Sequence, residues 1–165
     1  MDPKLVFSLF DTLVTSVLFY GVETWGYLQL KDNIEKVHTS FMRQFLGVRS
    51  STPLLAIYGE LGRLPLFFVG ALRMFNYWSK LLMLPENRIA KLAYEDSLNL
   101  FYTKPAFSLW CMYISCALSY VSMQGHFEFQ TIPDISGFYR MARNRLFEKF
   151  KLEWQPGTLL IPSLN

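Results

Sequence analysis

Polar positions recur at helical intervals from the first residues. Between Lys4 and Tyr20, the residues Lys4, Ser8, Asp11, Thr12 and Thr15 interrupt an otherwise apolar run, the pattern of an amphipathic helix. Gly21 and Gly26 then allow the chain to bend or to end a helix. Ile34, Val37, His38, Phe41, Phe45 and Val48 form the next apolar stripe and predict a helix over about 33–46. It is opened by a capping-box pattern at Asp32 and Glu35 and closed by Gly47. Ser51, Thr52 and Pro53 open a short helix expected to end near Gly59, and Pro65 starts another. Over 66–84 only Arg73, Asn76 and Lys80 break a wide apolar arc containing Phe67, Met74, Phe75, Trp78, Leu81 and Leu82, so this helix is expected at the centre of the core. Helices over 88–102, 105–123 and 134–153 complete the series. No stretch alternates with period two. The expected architecture is all-α, an irregular bundle of about six or seven helices forming one domain over 1–154. A loose tail over 155–165 follows, containing Pro156, Gly157 and Pro162.

Composition narrows the class without naming a function. In 165 residues, 52% are hydrophobic, 17% aromatic and 18% charged, which excludes disorder as the main state. A net charge of +3 is too small to mark a nucleic-acid or membrane protein by itself. Mean hydropathy is +0.19, so membrane spans near 5–22 and 105–123 have to be weighed. The first has a polar face and reads as a core helix. The stretch from Pro105 to Phe127 carries no charge, and its weakly polar seam of Ser108, Cys111, Ser115, Ser119 and Ser122 suits either a membrane helix or a helix buried in a bundle. The bundle reading is preferred, with a small membrane protein as one alternative and a domesticated module that binds another protein through an aromatic-rich surface as another. The apolar start lacks a small-residue cleavage site, and Cys111 and Cys116, five apart, have neither metal-ligand nor disulfide-framework spacing. An intracellular setting, nuclear or cytoplasmic, is therefore expected.

Candidate chemistry is sparse. Gly59 and Gly62 frame Glu60 and Leu61 without the preceding strand that a phosphate-binding glycine loop needs. His38 lies in an apolar stripe, the position of a core or boundary histidine, and His126 is 88 positions away, so no metal site is indicated. Tyr94-Glu95-Asp96-Ser97 has the outline of a polymerase aromatic-any-Asp-Asp turn, but Ser97 stands where the second metal-binding carboxylate is needed and the segment is helical in pattern. It reads as a solvated helix face. Arg140, Arg143, Arg145, Lys149 and Lys151 lie within twelve residues and are opposed only by Glu148. On a helical wheel Tyr139, Leu146, Phe147, Phe150 and Trp154 share an apolar face, Arg140 and Lys151 flank it, and Arg145 and Lys149 point away. Such cations either cover a core with their stems or track a nucleic-acid backbone.

Leu18-Phe19-Tyr20-Gly21-Val22-Glu23-Thr24-Trp25-Gly26, Ile34-Glu35-Lys36-Val37-His38, Phe45-Leu46-Gly47-Val48, Ser51-Thr52-Pro53 and Tyr58-Gly59-Glu60-Leu61-Gly62-Arg63-Leu64-Pro65-Leu66 stand in this order along the chain. So do Phe75 to Leu82, Cys116 to Val121 and Arg145 to Trp154. Together they resemble the region downstream of the polymerase palm, the thumb and carboxyl-terminal part, of LINE-type non-LTR retrotransposon reverse transcriptases of animals, over about 5–154. The charge-free stretch from Pro105 to Phe127 departs from that pattern, as does everything after Trp154. The resemblance implies an RNA-directed DNA polymerase as parent protein and a helical scaffold that holds template and primer and packs against a palm. No catalytic carboxylate, metal ligand, cofactor or small-molecule substrate site is carried over. The expected partners are RNA or an RNA–DNA hybrid, held weakly, and the palm. Within the block, Tyr58, Gly59, Glu60, Gly62, Arg63 and Pro65 are expected to be structural, with Glu60 and Arg63 pairing locally, and apolar surface is expected to remain exposed.

Overall fold

The computed structural model describes residues 2–29 and 34–159, with side chains at 2–25, 34–104 and 106–152. Among these the chain is all-α and contains no strand. Asp2 caps the first helix, its side chain accepting from the Lys4 backbone N–H at 2.9 Å, and Pro3 occupies the first turn. This helix, α1 (Pro3–Leu9), passes through a π turn at Phe10–Val14 into α2 (Thr15–Leu18). The continuous helix expected here is thus interrupted, because the Thr15 N–H reaches back five residues to the Phe10 carbonyl. Gly21, at φ +66°, turns the chain into α3 (Val22–Gln29), an element the sequence pattern did not single out.

The next three helices follow the expected punctuation with small shifts. α4 (Glu35–Leu46) ends at Gly47 in the left-handed conformation. Asp32, half of the expected capping box, lies outside the described residues. α5 (Leu54–Leu61) runs past Gly59 and is closed by Gly62, also left-handed, with the Arg63 N–H returning to the Tyr58 carbonyl at 3.0 Å. Pro65 has the extended conformation that precedes α6 (Leu66–Met83). As the apolar arc predicts, α6 is the central element, packing on α3, α4, α7, α8 and α10. Met74, Phe75 and Trp78 are fully buried on it, whereas Arg73 and Lys80 face outward.

The remaining helices close around α6. α7 (Ile89–Thr103) returns along it, and Lys91 donates to the Leu82 carbonyl at 3.4 Å in the last turn of α6, where positive charge is favoured. Trp78 donates to the Tyr94 hydroxyl at 2.9 Å, and Tyr94 donates in turn to Gln130. The expected helix over 105–123 divides into a 3₁₀ turn at Pro105–Phe107 and α8 (Leu109–Tyr120). Its seam divides too: Ser108 and Cys111 are buried against Ser97 of α7, Ser115 is half-buried, and Ser119 and Ser122 are exposed. A 12-residue helix spans about 18 Å, short of the ~30 Å of a bilayer core. The other candidate span, near 5–22, ends at Leu18, ahead of the turn at Gly21. Among the described residues no single helix is long and apolar enough to cross a membrane. α5 and α6 reach that length and composition only together, across a 73° bend.

After α9 (Gln124–Glu128), Asp134 caps α10 (Ile135–Leu159), accepting from the Ser136 and Gly137 N–H groups at 3.0 and 2.7 Å. α10 continues through Pro156 and Gly157, so the expected loose tail is helical as far as Leu159. Residues 160–165 lie outside the described part.

Candidate nucleic-acid interface

The block from Tyr58 to Pro65 is built around a carboxylate that comes from elsewhere. Glu35, in the first turn of α4, accepts from the Tyr58 hydroxyl, pairs with His38 Nδ1 at 3.0 Å, and accepts from the Phe67 backbone N–H at 3.3 Å in the first turn of α6. It joins three helices and supplies negative charge at the N-terminus of α6. Burial first, and then the adjacent Glu35 carboxylate, push the Tyr58 hydroxyl well above the ordinary tyrosine range. His38 is completely buried, stacked on Phe10 at 5.7 Å, which matches the core histidine expected. The local Glu60–Arg63 pair is not formed. Glu60 is exposed on α5, and Arg63 instead reaches the π turn, donating to Asp11 through both terminal nitrogens, one of them at 3.0 Å, with its guanidinium 4.9 Å from the ring centre of Phe7 in α1. A guanidinium fork fits a carboxylate bidentately, and the partner 52 residues upstream was invisible to a search for local pairs.

The basic helix is rotated relative to the wheel expectation. Its buried stripe is Phe138, Ala142, Leu146 and Phe150, at intervals of four, while Tyr139 and Phe147 stand about two-fifths exposed. Arg145 and Lys149 therefore point toward the end of α8, not toward solvent. Arg145 donates to the Val121 carbonyl at 3.1 Å and to that of Ser122, and the Lys149 ammonium lies 5.8 Å from the Tyr120 ring centre. Arg145 thus serves the C-terminal carbonyls of α8. Arg140 and Arg143 are exposed, and Lys151 pairs with Glu148 at 3.0 Å while lying 4.7 Å from the Phe147 ring centre. The five candidate cations divide into two structural ones and three on an outer face shared with Phe147.

That outer face forms one wall of a groove. Two adjoining hollows of about 320 and 370 Å³ share Leu64 and Phe147. One is lined by Tyr58, Gly59, Gly62 and Arg63 against Phe150 and Lys151; the other by Phe68, Val69 and Leu72 against Arg143 and Asn144. Four residues of the block (Tyr58, Gly59, Gly62 and Arg63) and two of the five cations (Arg143 and Lys151) thereby line one cleft, whereas Glu60, Pro65, Arg140, Arg145 and Lys149 lie outside it. The Tyr94-Glu95-Asp96-Ser97 segment is helical. Glu95 and Asp96 face outward, whereas Tyr94 and Ser97 point into the core, which corrects the reading of the whole segment as solvated. A hydrogen bond shared with Glu86 raises the Glu95 carboxyl above its usual range. Among the described residues no cluster of three or more His, Cys, Asp or Glu side chains could hold a metal ion.

A second surface is apolar. Along α1, the π turn and α2, Leu5, Leu9, Leu13 and Val17 are 52, 46, 62 and 74% exposed, and Tyr20 in the turn that follows is 86% exposed. Beside them, a groove of about 780 Å³ runs between these elements and α4. Comparison with known protein families, curated proteins and solved structures yields no match to this chain.

Proposed function

We propose that this chain is a non-catalytic helical piece of a LINE-type retrotransposon reverse transcriptase, corresponding to the region after the palm, and that it holds nucleic-acid backbones weakly and without sequence preference. The observation that carries this reading is the cleft in which Tyr58, Gly59, Gly62 and Arg63 face Phe147 and Lys151, and which continues past Phe68, Val69 and Leu72 to Arg143. Arg140 and Arg143 are free to meet phosphates, and Lys151 is held over an exposed aromatic ring, an arrangement suited to charge contact beside stacking. The non-catalytic part of the proposal is supported by the helical Tyr94–Ser97 segment, in which a hydroxyl directed at Ser108 occupies the place of a second metal-binding carboxylate.

The test is fluorescence anisotropy with a short RNA–DNA hybrid over a range of salt. Affinities of about 10⁻⁴ to 10⁻⁶ M near physiological salt are expected, falling steeply as salt rises. Arg140→Glu with Arg143→Glu should reduce the salt slope by about two phosphate contacts and leave the fold intact. A parent chain that fails to bind, or a double variant that binds equally well at every salt concentration, would remove the nucleic-acid role. Primer extension that scales with the purified chain in magnesium or manganese would refute the non-catalytic reading.

A further inference from the structure

One flank of α10 carries rings and cations in alternation. Tyr139, Arg143, Phe147 and Lys151 follow one another every four residues, each one position after a member of the buried stripe of Phe138, Ala142, Leu146 and Phe150. The mixed stripe therefore runs parallel to the buried one and about 100° around the helix from it. Tyr139 and Phe147 are 40 and 42% exposed, and Arg143 and Lys151 are exposed. Each step of four residues rises about 6 Å, so Arg143 stands midway between two rings about 12 Å apart along the axis. Between residues 135 and 152 the only acid is Glu148, and it is paired with Lys151. Beside Phe147 the floor of the groove is apolar, made by Leu64, Phe68, Val69 and Leu72. A phosphate backbone would lose water there without compensation, whereas the flat face of a base would gain by leaving it.

We propose, resting on the nucleic-acid role given above, that this flank and its groove take an unpaired strand in preference to a paired one. Bases lie on Tyr139 and Phe147, and the phosphates between them meet Arg143. In a duplex the bases are stacked about 3.4 Å apart with their faces closed to side chains, so a hybrid can meet only the cations. Rings about 12 Å apart are served by a strand whose bases separate, and cations interleaved with rings hold such a strand without regard to sequence. The Lys151 ammonium, 4.7 Å from the Phe147 ring centre, covers one face of that ring. A base that stacks there takes its place, and the flexible lysine stem carries the charge to a phosphate.

Fluorescence anisotropy of the full chain with an unstructured RNA of about 12 nucleotides, alone and annealed to its DNA complement at the same salt, tests this. The strand should bind at least about fivefold tighter than the hybrid, although the hybrid carries twice the phosphates and charge alone predicts the reverse order. Phe147→Leu and Tyr139→Leu keep an apolar side chain without a flat ring. Each should weaken strand binding about fivefold or more and leave hybrid binding within about twofold, while Phe147→Tyr should bind the strand as the parent does. If circular dichroism shows that Phe147→Leu has not folded, Tyr139→Leu decides. A parent that binds the hybrid as tightly as the strand overturns the proposal and leaves the backbone-binding role standing, as do folded leucine variants that bind the strand like the parent. Polyglutamate that competes with the strand as effectively as unlabelled RNA of equal charge also overturns it, because the flank then reads charge alone. A parent that binds neither strand nor hybrid removes both the proposal and the role on which it rests.

Discussion

Replacing Glu35 by Ala removes one carboxylate that three groups on three helices share. Its side chain is 13% exposed, so little water can take its place. The Tyr58 hydroxyl and the Phe67 N–H lose their acceptor, and His38, fully buried, loses its Nδ1 partner. Leaving a buried donor unsatisfied costs about 1–3 kcal/mol, and loss of the negative charge at the α6 terminus adds about 0.3–1 kcal/mol. Relaxation and shared partners keep such losses from adding fully, so a total of about 2–4 kcal/mol is expected. For a domain of this size that corresponds to a fall in Tm of roughly 4–16 °C. Thermal and urea unfolding followed by circular dichroism measure it. Glu35→Gln retains an acceptor oxygen and should lose less than half as much, whereas Glu60→Ala, on the exposed side of α5, should stay within about 0.5 kcal/mol. If Glu35→Ala unfolds within a degree of the parent, the carboxylate does not join α4, α5 and α6 and the account of the Tyr58 block fails.

Gly62→Val should destabilise by about 1–2 kcal/mol through backbone strain alone, because φ is +60° and a side chain there meets nothing within 4 Å; a Tm equal to that of Glu60→Ala would count against this. Arg145→Met should lower stability by about 1–2 kcal/mol by uncovering the α8 carbonyls, and Lys149→Met by less, which chemical denaturation resolves and the reverse order would contradict. Burial raises both Tyr58 and Tyr94 above the ordinary value of 10.0, so the folded state favours their neutral forms. The stability they contribute is complete below about pH 10 and is lost as pH rises beyond it, so urea midpoints should fall in that alkaline window and remain level just below it.

Much of the helix pattern was legible because its signals are local. Gly47 and Pro65 each act through their own backbone conformation, and the outward Arg73 and Lys80 reveal the face that α6 buries, whereas the end expected near Gly59 falls at Gly62, the glycine that takes the left-handed conformation. What the pattern hid depends on distant partners. Asp11 meets Arg63 across 52 positions, and Glu35 meets Tyr58 across 23, separations at which no periodicity operates. α10 was misjudged for a different reason. Its aromatic residues fall on two faces, and assigning Phe147 to the core turned the wheel toward it, although the smaller Ala142 marks the true centre of the buried stripe. A wheel weighted by residue size favours the bulky ring over the close-packed methyl, and here close approach decides. The groove between α5, α6 and α10 follows from that rotation, so the residues of the candidate interface could be named in advance but not brought together.

The π turn at Phe10–Val14 holds one residue more than an α-helical turn would. An α-helix advances about 100° per residue, and the wider turn takes up one residue of that advance, so deleting a single residue within it would restore regular α-helical geometry and leave the faces on both sides of it in place. Phe19, only 1% exposed and covered by the Arg73 guanidinium, would keep its place in the core, whereas the same deletion in a regular α-helical turn upstream of it would swing it away. The extra residue thus works as a vernier between two stretches of helix whose apolar teeth do not share one pitch: Phe7 and Phe10 mesh with α4 on one side of it, Phe19 with α6 on the other. Length changes in this part of the chain are consequently most readily absorbed within these five positions, where the backbone already carries a wider ring.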